Sequence, residues 1–72
     1  PFLLQQSAAL AARLVREAGA APANQVRLAF RLMLGREPAP EEIAAATAMI
    51  AERGLPLFCR ALFNANEFVH TP

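Results

Sequence analysis

Apolar residues recur along this chain at three- and four-residue spacings, and each such stretch is closed by a glycine. Leu3, Leu10 and Leu14, with Leu4, Ala11 and Val15 beside them, form a broad apolar stripe on a helix over about residues 2–18. Gln6, Arg13, Arg16 and Glu17 keep the other side polar. After Gly19 a second helix, over about 23–34, places Val26, Phe30, Met33 and Leu34 on one side. Leu28 and Leu32 widen its apolar surface almost all round, so this helix is expected at the centre of the fold. After Gly35 a third, over about 40–53, turns Ile43, Ala46, Thr47 and Ile50 inward. After Gly54 a fourth, over about 56–64, buries Phe58, Ala61 and Leu62. It leads into a final turn, NANEF, expected to return Phe68 to the core, while Val69 to Pro72 fray.

Proline sharpens these boundaries. Pro22, Pro38 with Pro40, and Pro56 each follow a glycine within two to five residues. Glycine ends a helix in the left-handed conformation, and proline suits the first turn of the next. The third helix is signalled further by Glu41 and Glu42 at its positive start and Arg53 at its negative end. Its many alanines permit close approach to a neighbour. No β-type alternation and no repeat occurs. The fold expected is all-α, a compact cluster of four short helices with a C-terminal turn, packed either orthogonally or up and down.

At 72 residues the chain forms one domain. A chain this short buries only about 60% of the surface its unfolded form exposes, so its stability is small. The single Cys59 excludes an internal disulfide, and no C-x-x-C pair exists for zinc or redox chemistry or for attaching a c-type haem. No cofactor or metal is expected. Every basic residue other than His70 is Arg, every acidic one is Glu, and the net charge of +1 creates no field to recruit nucleic acid or an anionic membrane. Although 56% of residues are hydrophobic, no apolar run approaches the roughly 18 to 20 residues of a membrane span. Beginning on Pro1 without Met, the chain is expected to be a piece of a longer one.

Few residues invite a chemical role. Cys59 lies between Phe58 and Arg60, but Arg60 points about 100° away around the helix, and free cysteine is commonly a packed core residue. A thiol site of Cys59, Glu67 and His70 lacks an oxyanion-hole signature, so no catalysis is expected. Arg13, Arg16, Arg27 and Arg31 make a basic strip if the first two helices lie side by side, the basis of an alternative reading as a small nucleic-acid-binding domain. Arg27 and Arg31, four residues apart, need a carboxylate nearby to offset their repulsion. In the segment LGREP, Arg36 follows a helix-ending glycine; a bridge from Arg36 to Glu67 is expected, with Asn64 and Asn66 satisfying nearby backbone groups.

In order and spacing, PFLLQQSAALAARL, LGREPAPEEI and FCRALFNANEF resemble the end of the planctomycete cytochrome-associated PSD-type domain of unknown function. The resemblance covers essentially the whole chain. It implies a C-terminal segment of a large exported bacterial protein whose cytochrome-like domains lie upstream, and it transfers no haem ligand or active-site residue. Relatives often carry a Trp just before the segment matching FCRALF, where this chain has Leu57 or its neighbours. They also tend to be aromatic after the position of Phe68, where this chain has Val69 and His70. The function expected is a non-catalytic module that packs against upstream domains of its own parent chain or binds another protein. An outward patch formed by Leu3, Leu28, Leu57 or Phe63 is the surface that reading looks for.

Overall fold

The computed structural model describes the backbone of residues 2–70 and the side-chain surroundings of residues 5–65. Four helices follow one another: α1 (Phe2–Ala18), α2 (Pro22–Leu34), α3 (Pro40–Arg53) and α4 (Leu55–His70). The corners between them are glycine corners because glycine alone enters positive φ without a Cβ clash. Gly19, Gly35 and Gly54 have φ of 82°, 68° and 95°, and no other described residue has positive φ. Pro22 and Pro40 are the first residues of α2 and α3, where the N–H that proline lacks has no intrahelical partner to lose.

The fourth helix departs from expectation. It begins at Leu55 and runs through Asn64 and the NANEF segment to His70, with no turn after Asn64. Between Pro56 and Pro72 the sequence contains neither glycine nor proline, so nothing local interrupts the helical ladder, and the two asparagines weaken it too little to end it.

Burial sets the arrangement. Leu10, Ala11 and Leu14 of α1, Val26, Ala29 and Phe30 of α2, Ala46 of α3 and Phe58, Cys59 and Leu62 of α4 form one buried cluster. Leu14, Val26 and Cys59 have no exposed surface at all. The helices α2 and α4 touch each other and both outer helices, whereas among the described residues α1 and α3 make no contact. The second helix is therefore central, as its apolar breadth predicts, and α4 shares that position. The radius of gyration, 11.3 Å, matches the about 11 Å of a compact chain of this length.

Two expected core residues face outward: Val15 is 53% and Leu32 38% exposed. Each flanks the stripe of its helix, beyond the reach of a neighbour. The alanines of α3 are a second departure, because only Ala46 is buried while Ala44, Ala45, Ala48 and Ala51 are exposed. The stripe of Ile43, Ala46 and Ile50 faces the core, which leaves the remaining alanines on the outer side. A buried polar residue, Gln25, donates from Nε2 to the Gly19 carbonyl at 2.7 Å and so ties the end of α1 to α2. No buried side-chain nitrogen or oxygen among the described residues lacks a partner.

The corners yield a graded prediction. At Gly35 (φ 68°, ψ 25°) an added Cβ meets nothing within 4 Å, so Gly35→Ala costs only the left-handed backbone, about 1 kcal/mol. Gly54 (φ 95°, ψ 160°) occupies a region essentially reserved for glycine, and Gly54→Ala is expected to cost more, roughly 1–3 kcal/mol. Urea denaturation of both variants checks the order; equal losses would show that backbone conformation does not set the cost.

Candidate functional site

The densest polar arrangement lies at the corner between α2 and α3, in the segment LGREP. Gly35 reverses the chain and places Arg36 over the Phe30 ring, 5.3 Å from guanidinium carbon to centroid, within cation–π range. From there the fork of Arg36 meets Glu42 with two parallel bonds, Nη1 to Oε1 and Nη2 to Oε2, each 2.8 Å. Glu42 Oε1 also accepts the backbone N–H of Ala39 at 2.8 Å. Ala39, which caps α3, has no side-chain acceptor, so only the glutamate half of a capping box forms. Arg36 Nη1 donates in addition to the Glu37 carbonyl at 3.2 Å, and Arg31 Nε lies 3.3 Å from Glu37 Oε2.

These bonds fix the ionisation of the pair. Hydrogen bonding from Arg36, then from the Ala39 amide, holds the Glu42 carboxyl well below its ordinary range, at about 2, and donating to Glu42 raises Arg36 in turn. At neutral pH Glu42 is a fixed anion with its lone pairs engaged, which suits it to hold a corner and not to carry protons.

Both terminal amino groups of Arg36 are held by Glu42. The side chains of Glu67 and Asn66, the other members of the expected bridge, lie outside the described residues, and Asn64 is exposed on α4. Glu42 is readable from sequence only as a favourable charge at the start of α3. The further signal was its place as the third residue of that helix, where a glutamate can reach back to the cap.

Cys59 lies in the core with no exposed surface, and burial pushes its thiol up to about 11. It stays protonated at neutral pH and out of reach of solvent. Glu67 and His70, its imagined partners, are outside the described side chains. Among the described residues no three His, Cys, Asp or Glu gather to hold a metal. Among the described residues no helix is long and apolar enough to cross a membrane.

The proposed basic strip is broken up by local partners. Arg13 Nε lies 2.7 Å from Glu17 Oε2, Arg31 meets the carboxylate of Glu37, and Arg27 Nη1 donates to Asn24 Oδ1 at 3.3 Å. Arg27 and Arg31 line an open hollow of about 320 Å³ together with Glu17, so a carboxylate sits among them. Arg16 is exposed and is not part of that hollow.

An apolar surface exists, but not where the sequence places it. Leu28, Leu57 and Phe63 are each half-buried, in three separate hollows, and the Leu3 side chain is outside the described residues. A different groove, about 240 Å³, runs between α3 and α4: Ala45, Ala46 and Met49 wall one side, Phe58, Ala61, Leu62 and Ala65 the other, and Phe30 contributes from α2. Among the described residues its one ionised lining residue is Glu42, already held by Arg36. Alanine is a weak marker of a face in a hydrophobic pattern, and for that reason the groove is not visible in the sequence. Comparisons of the chain with models of known protein families, with curated proteins and with solved structures find no match.

The Glu42 pair makes acid stability testable. Its folded value, about 2, lies below the reference 4.5, so its stabilisation is complete above about pH 5 and disappears as the pH falls towards 2. Glu42→Gln is expected to be less stable than the unaltered chain at pH 7, with the two denaturation curves converging near pH 2. A stability difference that stays constant over that interval contradicts the assignment.

Proposed function

We propose that this chain is a non-catalytic helical packing and protein-interaction module, and that the groove between α3 and α4 receives a helix from upstream domains of its parent chain. The groove is the observation that carries this reading. Its walls are alanine, methionine, phenylalanine and leucine, and its one charged lining residue is neutralised within the fold. Desolvating such a surface is favourable, and small side chains let a partner axis come within about 8 Å. The resemblance to the C-terminal end of the PSD-type domain supports the choice of partner, and with it a place in a larger exported, cytochrome-associated protein.

Absence of catalysis is part of the proposal. It is supported by the buried, protonated thiol of Cys59 and by the locked ionisation of Glu42. Carboxylates beside Arg13 and Arg31 favour a protein partner over a nucleic acid, which would have to displace them.

Hydrogen exchange compares the isolated chain with the longer parent protein. Amides around Ala45 to Met49 and Ala61 to Ala65 are expected to exchange more slowly in the parent. Ala45→Glu, at an exposed position, should change the stability of the isolated chain by no more than about 0.5 kcal/mol yet abolish the added protection. Equal exchange in both settings overturns the proposal.

A further inference from the structure

We infer that the concavity where the α3–α4 corner meets α1 is a binding site for an oxyanion, a phosphate or carboxylate group. This inference rests on an account of the arginines and is independent of the α3–α4 groove. Arg13, Arg31 and Arg36 are paired with carboxylates and Arg27 with Asn24. Arg16, Arg53 and Arg60 have no ion-pair or hydrogen-bonding partner among the described residues. Two of those three, Arg53 and Arg60, line a single concavity of about 310 Å³, and no carboxylate among the described residues lines it with them.

The fold brings these two cations together across the Gly54 corner, Arg53 as the last residue of α3 and Arg60 on α4. Like charges sharing a hollow raise each other's energy, and an anion between them reverses the sign of that interaction. The rest of the lining carries no opposing charge: Ala8, Pro56 and Leu57 give apolar walls, and Ser7 lies buried beside them. Pro56 and Leu57 belong to the first turn of α4, the positive end of that helix dipole. Guanidinium groups match phosphate and carboxylate oxygens in forked pairs, so two of them can hold one oxyanion from two directions.

The test is a titration of the folded chain, followed by NMR of the arginine Nε–H and backbone amide signals, with inorganic phosphate in one arm and N-acetyl-triglutamate in the other. Sodium chloride at equal ionic strength is the reference. A saturable shift of Arg53 and Arg60 with a Kd on the order of 1–10 mM is expected, with Arg16 unmoved. Arg53→Gln and Arg60→Gln should each weaken binding about tenfold, while Arg16→Gln and Ala45→Glu leave it unchanged. Saturation by phosphate alone assigns a phosphate-bearing ligand, and saturation by the peptide alone an acidic segment; each supports the site. Shifts that grow linearly, that affect Arg16 equally, or that persist in a folded Arg53→Gln/Arg60→Gln variant overturn it.

Discussion

The fold depends on one contact region, where Leu14 of α1, Val26 of α2 and Cys59 of α4 are withdrawn completely from water within a single core cluster. Burying an aliphatic side chain of this size contributes about 1.5–3 kcal/mol, a large share of what so short a chain can hold. Around that region α1, α2 and α4 each place three residues in the core. The third helix places one, Ala46. The helices α1, α2 and α4 thus form the closed part of the molecule, and α3 is laid against it.

How α3 is retained follows from that asymmetry. Ile43, Met49 and Ile50 are half-buried against the cluster, and polar bonds fix the start of the helix. Phe30 lies buried in the core beneath Arg36, Arg36 grips Glu42, and Glu42 accepts the amide of Ala39, the cap residue just before α3. A chain of contacts runs from the core through the corner into α3. It fixes the start of the helix without covering its flank. The flank, lined by Ala45 and Met49, is one wall of the groove for which an interaction role is proposed. Weak burial of α3 and an open apolar surface beside it have a single cause, the outward placement of its alanines.

Much of this was legible in the residues and some was not, for reasons that differ. The glycine corners and the prolines after them act through local backbone sterics, so the first three helix ends could be read directly. Val15 and Leu32 belong to helical stripes by period, yet only the positions of neighbouring helices decide that they face water. The continuation of α4 past Asn64 is hidden because asparagine suggests a turn, although neither glycine nor proline enforces one. Arg36 was singled out as an anchor through its place after Gly35. Its carboxylate sits six residues on, at the third position of the next helix, where Glu42 answers the cap and the arginine together. Gln25 gave no signal, since a buried amide becomes tolerable only once the Gly19 carbonyl is within reach. Arg53 and Arg60 are seven residues apart on different helices, and only the corner between them makes them neighbours.

The central claim is that α3 is the least buried helix, laid against a closed three-helix core through Ile43, Ala46, Met49 and Ile50, with its start fixed by the corner at Arg36 and Glu42. Native-state hydrogen exchange, residue by residue, tests it most directly, because amides released by local opening separate from those that need global unfolding. The account predicts that amides in the middle of α3 exchange through an opening of lower free energy, while those of Leu14, Val26 and Cys59 share the global value. A single opening free energy across all four helices, or α1 opening before α3, contradicts it.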